Sequence, residues 1–428
     1  MVADYFTDNA MIDRLNHLYL YMIKELSMNI LIAPDSFKES LDAIDVCRAI
    51  ESGFRQVFAE ANYTLLPMAD GGEGTTSVIS YALKGRWMTA TVHDPLMRPI
   101  TAKYLLLADN TAVIEIAAAC GLALLTDAER NPLITSSYGV GELILAALAN
   151  GAQRFIIGLG GSATNDAGLG MLTALGIRFY DDDNNELSPG GSQLANLQRI
   201  DSSTMHSNMK QILSQETTAF RVACDVTNPL YGSNGASIIF GPQKGADKQQ
   251  VKILDKALTH FADIFASQNA QCNAHKNYHN TAGAGAAGGL GFALMAFLDA
   301  ELQSGFDIVA KATDLAAHIA KADLIITGEG KLDAQTTMGK VAGAIHKLAK
   351  AQQKPVIAIC GAVDRPKSAS ALNAAQNQDF AVILPSIQKL GTIDEVLKNG
   401  YDNIETTAAN LAAALRLGQQ LSNKAPKL

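Results

Sequence analysis

The sequence predicts a two-lobed α/β fold, and three features of the chain lead to this prediction. Short apolar runs alternate with helix-like periodicity near both ends of the chain, in residues 28–85 and 300–428. The stretch between them, 86–299, begins with β-like runs that only turn residues separate. A chain of 428 residues also exceeds what one hydrophobic core usually serves. We therefore expect a discontinuous Rossmann-like parallel-sheet domain, 28–85 plus 300–428, into which a mixed α/β domain, 86–299, is inserted.

The first lobe opens with two predicted strands. Asn29–Ala33 is an apolar run that ends in Pro34-Asp35-Ser36, and Leu41–Phe58 has the periodicity of a helix. Tyr63–Met68 is the second strand, and it ends in Asp70-Gly71-Gly72-Glu73. Ligands bind at the carboxyl ends of the strands in parallel sheets, so we expect both loops to contribute to a ligand site.

The inserted lobe begins with an antiparallel piece and then returns to strand and helix alternation. Trp87–His93, Ile100–Leu107 and Thr111–Ile116 are short β-like runs. A helix is predicted over Tyr138–Leu148. Further along, the glycine-rich tract Thr281–Gly291 is interpreted as a flexible crossing between the domains.

The alternation of the first lobe resumes near the C-terminus. A strand is predicted over Asp323–Thr327, followed by a loop, Gly328 to Asp333, and a helix over Gly339–Gln352. Pro355–Ile359 is the next strand, and Cys360 to Asp364 is expected to form a second loop.

The most informative stretch is Phe155–Gly168, where an apolar run passes into glycines and then into Ser, Thr, Asn and Asp. Glycines allow backbone N–H groups to approach a ligand closely, so the stretch indicates an anion site. Gly158, Gly160 and Ala163 also fit a G-x-G-x-x-A dinucleotide pattern, with Asp181-Asp182-Asp183 at a suitable distance. A dinucleotide site therefore stays open as an alternative.

Composition excludes several classes of protein. The net charge of −8, without clustered Lys and Arg, argues against nucleic acid as a general partner. No run approaches the roughly 20 apolar residues of a membrane span. The five cysteines are scattered and never in C-x-x-C spacing, which is typical of reduced thiols in a cytoplasmic protein. Residues 1–27 are interpreted as an appended helix or as a start site placed too early, because Met28 directly precedes the first predicted strand.

The predicted loops combine carboxylates with Gly, Ser, Thr and Asn, and none of the loops singled out contains histidine. This inventory suits phosphoryl transfer, in which carboxylates hold Mg²⁺ and backbone N–H groups bind phosphate. It is poor for Ser-His-Asp hydrolysis. Gly339-Lys340 lacks the rest of a Walker A motif, and the protein-kinase signatures are absent.

Five segments stand out together, in order along the chain: Ile32 to Lys38, Met68 to Thr75, Gly158 to Asp166, Cys224 to Leu230 and Thr327 to Gly330. They resemble the signature segments of bacterial glycerate kinases, of the glycerate 2-kinase type that acts in glycolate, glucarate and galactarate breakdown. The resemblance covers almost everything from Met28 to near the C-terminus. The resemblance implies ATP-dependent phosphorylation of D-glycerate to 2-phosphoglycerate with Mg²⁺. It also implies two α/β domains with the active site in the cleft between the lobes.

Candidate roles follow from this resemblance together with the chemistry of each residue type. Asp70, Asp225 and Lys38 are the catalytic candidates. The expected contacts to glycerate come from Asp35, Ser36, Lys38, Arg98 and Asn228. The expected contacts to nucleotide phosphates come from Gly160, Gly161, Ser162, Thr164, Asn165, Gly328, Glu329 and Gly330. The candidate Mg²⁺ ligands are Asp166, Asp225 and Asp333.

Several alternatives stay open from sequence. Either Asp70 or Asp225 can serve as the base or as a metal ligand, and Asp166 can simply cap the helix that follows it. An NAD-dependent oxidoreductase, a non-catalytic sugar-acid or nucleotide sensor, and a kinase that forms 3-phosphoglycerate are the rival functions.

Overall fold

A computed structural model describes residues 28–71, 74–215, 218–268, 277–332, 341–363 and 380–424. The interpretation of residues 1–27 and the predicted metal ligand Asp333 therefore lie outside the described residues. By its internal contacts, the chain divides into two compact units, Met1–Met68 with Thr313–Leu428, and Ala69–Ala312. The sequence predicts that the chain passes from one domain to the other near residues 85 and 300. In the structure the division falls after Met68 and after Ala312, so the loop at Asp70 and the first helix after it lie in the second unit.

The strands are β1 Asn29–Ile32, β2 Asn62–Leu65, β3 Arg86–His93, β4 Pro99–Leu106, β5 Thr111–Glu115, β6 Arg154–Gly158, β7 Arg178–Tyr180, β8 Arg199–Asp201, β9 Phe220–Ala223, β10 Glu301–Gln303, β11 Leu324–Leu332, β12 Val356–Val363 and β13 Val382–Pro385. The helices are α1 Ala43–Arg55, α2 Thr75–Leu83, α3 Ala117–Cys120, α4 Tyr138–Ala149, α5 Leu169–Ala174, α6 Ser207–Leu213, α7 Ala236–Phe240, α8 Lys248–Gln268, α9 Ala286–Leu298, α10 Gly305–Ala312, α11 Leu315–Lys321, α12 Val341–Ala351, α13 Ile393–Lys398 and α14 Gly400–Lys424. Among the described residues, no helix is long and apolar enough to span a membrane.

The first unit is built on a parallel sheet with the strand order β13-β12-β11-β1-β2. Helices α1 and α14 pack closely against each other on this unit. Gly53 allows this approach, because a Cβ there would overlap the backbone oxygen of Glu405. The apolar core beneath them includes Ile32, Phe54 and Ile404, which are essentially inaccessible to solvent. The predicted parallel α/β character of this part of the chain is confirmed.

The second unit contains a mixed sheet with the strand order β10-β9-β6-β5-β4-β3. Strands β10, β9, β6 and β5 run parallel to one another, whereas β3, β4 and β5 pair antiparallel. The antiparallel piece predicted between residues 87 and 116 is present, and the α/β class is confirmed. A separate pair, β7 and β8, is antiparallel.

Two expectations about loops are wrong. Residues 328–332 and 360–363 were expected to be loops, but they continue strands β11 and β12, which pair as far as Leu332 and Val363. Gly328 and Gly361 allow this pairing, because a Cβ on either would overlap the facing backbone oxygen of Ile359 or Gly330. These glycines therefore allow two strands to pair closely and do not mark a turn.

The glycine-rich tract expected to be a flexible crossing between domains is packed inside the second unit. Gly288 has a φ of +68°, and a Cβ on it would overlap the backbone oxygen of Thr164. A Cβ on Gly285 would likewise overlap the backbone oxygen of Pro229. These glycines bring α9 against the segments that follow β6 and β9.

Candidate active site

The carboxyl ends of four parallel strands in the second unit meet at one edge of its sheet. Strand β6 leads into Gly160 and Gly161, and β9 leads into Asp225. Strand β5 ends at Glu115, and β10 is followed by Ser304. This is the edge at which parallel α/β sheets bind ligands. The order of the strands therefore brings together residues that lie up to 189 positions apart, from Glu115 to Ser304.

The loop that carries Asp70 lies against the same edge. Gly71 has a φ of +90° and lies close to Gly305, the first residue of α10. A Cβ on Gly305 would overlap the backbone oxygen of Asp70. A Cβ on Gly158 would lie 3.1 Å from the backbone oxygen of Gly71. The start of α2 is held here as well, because the Thr76 N–H donates to the Glu115 carboxylate over 2.8 Å. Small residues thus allow the Asp70 loop to lie directly on the strand ends.

Asp225 is the carboxylate whose surroundings are most unusual at this edge. The Gly305 N–H donates to its Oδ1 over 3.2 Å. Asp225 is exposed as a residue, although neighbouring protein atoms partly desolvate its carboxyl group. This desolvation, with the charges of Asp70 and Asp307, outweighs the hydrogen bonds from Gly305 and Ser304 and raises the Asp225 pKa to about 6. The structure therefore brings two predicted catalytic residues, Asp70 and Asp225, close enough to influence each other.

The glycine stretch after β6 divides into an accessible part and a buried part. Gly160 and Gly161 reach the surface, and Gly161 has a φ of +70°. Ser162, Thr164 and Asn165 are buried, with exposed fractions of 6%, 0% and 0%. Their burial does not support the predicted contacts of these three side chains with nucleotide phosphates. Only the two glycines of this stretch are accessible to a ligand.

The buried part of the stretch is held by side chains from elsewhere in the second unit. The Lys244 ammonium donates to Ser162 Oγ over 2.8 Å and to the Thr164 backbone oxygen over 2.6 Å. Asn165 Nδ2 donates to Ser237 Oγ over 3.0 Å. A dinucleotide fingerprint calls for a helix that begins at its glycines, whereas the next helix, α5, begins only at Leu169. The local structure therefore does not support the dinucleotide alternative.

Asp166 is completely buried and bonded only to protein groups. Its Oδ2 accepts hydrogen bonds from the N–H and hydroxyl of Ser137, at 2.9 and 2.8 Å, and from the Gly170 N–H at 3.2 Å. Its Oδ1 accepts a hydrogen bond from the Gly168 N–H at 3.2 Å. Burial raises the pKa of this carboxyl despite these donors. This arrangement supports the capping role that the sequence left open, and it lends no support to the predicted metal role.

Arg98 and Asn228 are both occupied by contacts within the protein. Arg98 Nε donates to Asp94 over 2.6 Å, and its Nη1 donates to Glu129 over 2.7 Å. These two carboxylates raise the Arg98 pKa and offset its charge. Asn228 Nδ2 donates to the backbone oxygen of Asn234 over 2.8 Å and braces a turn. The structure therefore accounts for both side chains without a bound substrate.

The first unit brings its own predicted site residues together. The Asp35 N–H donates to the Gly328 backbone oxygen over 2.8 Å, and Asp35 Oδ1 accepts a hydrogen bond from the Ser36 N–H over 2.7 Å. A Cβ on Gly330 would lie 3.4 Å from the backbone nitrogen of Lys38. Lys38 is exposed, whereas Glu329 is buried at 6% exposure. The loop after β1 thus lies alongside the outer part of β11.

Two residues of the candidate site were missed from sequence. Lys244 lies in a polar segment whose sequence is typical of a surface turn, and the pattern of apolar residues around it does not indicate that it is buried. Ser304 follows a strand of only three residues, β10, which was not predicted. Across the described residues, no three His, Cys, Asp or Glu side chains are grouped as a metal site. Mg²⁺ needs only one or two carboxylates when substrate phosphates supply further oxygens, and the two predicted carboxylates that come together at this edge are Asp70 and Asp225.

Comparisons with known proteins give the family. The glycerate kinase family model matches residues 30–416. Glycerate 2-kinase of Escherichia coli K12 is 45% identical over 394 residues, which cover 92% of this chain and 99% of that protein. Glycerate kinase of Bacillus subtilis 168 is 43% identical over 395 residues, which cover 92% of this chain and 99% of that protein.

A solved structure matches as well. A crystal structure from Salmonella typhimurium LT2, of a protein described as a candidate glycerate kinase 2, has a TM-score of 0.79 at 44% identity. The match covers 92% of this chain and all of that one. A family model that spans most of the chain, relatives of this identity and a common fold agree with one another. The chain is therefore a kinase that belongs to the glycerate kinase family.

Proposed function

We propose that this kinase transfers the γ-phosphoryl group of ATP to the 2-hydroxyl of D-glycerate, with Mg²⁺ as cofactor, and forms 2-phosphoglycerate. The observation that carries the proposal is the pair of carboxylates, Asp70 and Asp225, at the carboxyl ends of parallel strands. Direct phosphoryl transfer to a hydroxyl needs an acceptor for the hydroxyl proton and oxygen ligands for a divalent cation. The name of the E. coli relative, glycerate 2-kinase, supports the choice of the 2-hydroxyl.

Within this proposal, Asp70 and Asp225 share the roles of general base and Mg²⁺ ligand. A base works best when its pKa lies near the working pH, and the Asp225 pKa of about 6 meets that condition. Mg²⁺, when bound, neutralises charge on the phosphates that are transferred and released. Gly305 holds Asp225 through its N–H and also contacts the Asp70 loop. This glycine therefore fixes the two carboxylates relative to each other.

The remaining predicted residues fall into two groups, one proposed to contact nucleotide phosphates and the other proposed to contact glycerate. We propose that the backbone N–H groups of Gly160 and Gly161 contact phosphate, because they are the accessible part of the glycine stretch. Lys38, exposed on the loop after β1, is the proposed cation for an anionic substrate. Asp35 and Ser36 belong to the same loop and are proposed to contact glycerate hydroxyls. Gly328 and Gly330 line that loop through backbone contacts, and we propose them as part of the nucleotide site.

The proposal includes a cytoplasmic location, which scattered cysteines without a disulfide framework support. It is tested by incubating the full chain with D-glycerate, ATP and Mg²⁺. ADP release is measured, and the phosphoglycerate isomer is identified by enzymes specific for each. ADP release with 2-phosphoglycerate is the expected result. Formation of 3-phosphoglycerate would overturn the choice of hydroxyl, and no ADP release would overturn the proposal as a whole.

Substitutions then separate the two carboxylate roles. Replacing the base with Asn is expected to lower kcat by roughly 10²- to 10⁴-fold with little change in the KM for ATP. Replacing a metal ligand is expected to shift the Mg²⁺ concentration that gives half-maximal rate. Asp70→Asn and Asp225→Asn are compared with Asp201→Asn, since Asp201 is the last residue of strand β8 and accepts a local N–H. If both variants kept a wild-type kcat and Mg²⁺ dependence, the assignment would be wrong.

A further inference from the structure

Lys244 is a buried cation that the proposed reaction does not yet use. Its exposed fraction is 2%, although lysine is almost never fully buried unless it is paired. The two groups that accept hydrogen bonds from its ammonium, Ser162 Oγ and the Thr164 backbone oxygen, are both neutral. Desolvation lowers the Lys244 pKa to about 8, and the nearby charge of Asp166 offsets only part of that effect. The fold thus keeps a positive charge here at a cost in stability.

The backbone around Lys244 directs the side chain inward. Lys244 ends a short 3₁₀ turn, Pro242–Lys244, that connects helices α7 and α8. The next residue, Gly245, has a φ of +93°, and a Cβ on it would overlap the backbone oxygen of Arg130. Only glycine fits at this position without strain. The turn that carries Lys244 is therefore packed tightly against the segment at Arg130, and this contact needs no bound ligand.

Both hydrogen bonds of Lys244 hold residues that directly follow the Gly160–Gly161 turn. Within residues 158–168, Gly160 and Gly161 alone are accessible to solvent. In the part of the chain that the structure describes, neither glycine N–H has an acceptor. Successive backbone N–H groups in such a turn form a concave site for an anion. The buried ammonium is thus bonded to residues that lie one and three positions after Gly161, the last accessible glycine of this turn.

We propose that Lys244 is a positioning residue, which holds the Gly160–Gly161 turn in the conformation that binds the phosphate groups of ATP. This inference rests on the proposed function. A flexible glycine turn loses conformational entropy when it binds a ligand, and an anchor fixed in the core reduces that loss. Lys244 acts through Ser162 and Thr164 and does not itself contact the nucleotide.

The test is Lys244→Met, which removes the donor and keeps a side chain of similar length. We expect the KM for ATP and the calorimetric Kd for ATP to rise roughly tenfold or more, because two charge-assisted hydrogen bonds are lost. The KM for D-glycerate should stay unchanged. The urea midpoint should change only slightly, because removing a desolvated charge offsets the cost of leaving the Thr164 backbone oxygen without this donor. A residue that only supports the fold would lower the urea midpoint and leave ATP affinity unaltered.

Lys210→Met is the matched control, because the Lys210 ammonium also donates to a backbone oxygen, that of Ser203, but on an exposed helix. It should leave every constant unchanged. Ser162→Ala removes one acceptor of Lys244 and should weaken ATP binding on its own. In the double variant with Lys244→Met the two losses should be far from additive, because both act on the same contact.

Two results would overturn the inference: wild-type ATP affinity in Lys244→Met, or additive losses in the double variant. If Lys244→Met does not fold, wild-type ATP affinity in Ser162→Ala overturns it instead. ATP affinity is measured without D-glycerate. A wild-type chain that binds ATP but does not phosphorylate glycerate therefore refutes the proposed function, while the ratio of affinities still decides the role of Lys244. A wild-type chain that does not bind ATP refutes both.

Discussion

Asp166→Ala is the substitution that best separates a structural carboxylate from a metal ligand in this fold. The wild-type side chain accepts four hydrogen bonds, three from the backbone N–H groups of Ser137, Gly168 and Gly170 and one from the Ser137 hydroxyl. Its exposed fraction is 0%, so solvent does not replace the lost acceptor without rearrangement. The substitution leaves three buried backbone donors without a partner.

The expected loss of stability follows from these contacts. Each buried donor left without an acceptor costs about 1–3 kcal/mol. Removing the buried charge recovers part of this, because burial alone raises the pKa of Asp166. We therefore expect the free energy of unfolding of the second unit to fall by about 3–5 kcal/mol, similar to other cases in which a single partner of a buried charged contact is removed. For a unit of this size, that corresponds to a fall in Tm of roughly 10 °C.

The assay combines thermal unfolding by circular dichroism with a Mg²⁺ titration of the kinase rate below the transition. Asp181→Ala is the matched control, because Asp181 also accepts hydrogen bonds from two backbone N–H groups, those of Asp183 and Asn185, but at the surface. Its Tm should change by less than a few degrees. An Asp166→Ala variant with wild-type Tm and a strongly shifted Mg²⁺ dependence would refute the structural interpretation and restore Asp166 as a metal ligand.

Two further predictions concern the edge of the sheet where Asp70 and Asp225 lie. The Asp225 pKa is raised to about 6, and both proposed roles need the ionised carboxylate. The value of kcat/KM for D-glycerate should therefore fall as the pH drops below about 6. A pH profile that stays flat down to pH 5 contradicts this prediction. Gly305→Ala places a Cβ where the Asp70 backbone oxygen lies, so the Asp70 loop must shift and kcat should fall at least tenfold. The control is Gly418→Ala, whose Cβ meets no atom within 4 Å and should leave kcat unchanged. A wild-type kcat in Gly305→Ala would show that this close approach is not needed.

The sequence was a good guide to elements whose apolar runs are long or clearly bounded. Strands β1 and β2 begin close to their predicted positions, and the antiparallel piece from β3 to β5 was predicted from its turns. It was a poor guide where glycine has two physical uses. In strands β11 and β12, and at the start of α9, glycine permits close backbone packing, which composition alone does not separate from a loop.

The candidate site shows the same division. A carboxylate after a predicted strand pointed to Asp70, the family resemblance pointed to Asp225, and the structure brings these two residues to one edge of a sheet. Ser162, Thr164, Asn165 and Asp166 look like ligands in the sequence, because polar residues after glycines are typical of phosphate loops. Their burial depends on packing against residues far along the chain, and no local pattern encodes it.

By itself, the sequence determined the α/β class, the strand ends that carry carboxylates and the family, because these depend on local periodicity and on motifs read in order. Only the tertiary structure decided which polar groups face solvent and which are used up inside the fold. Lys244 is the clearest case, since its ammonium is buried against residues 80 and 82 positions away. Desolvation and hydrogen-bond partners are properties of the packed chain, and they decide whether a polar side chain meets a ligand or supports the backbone that does.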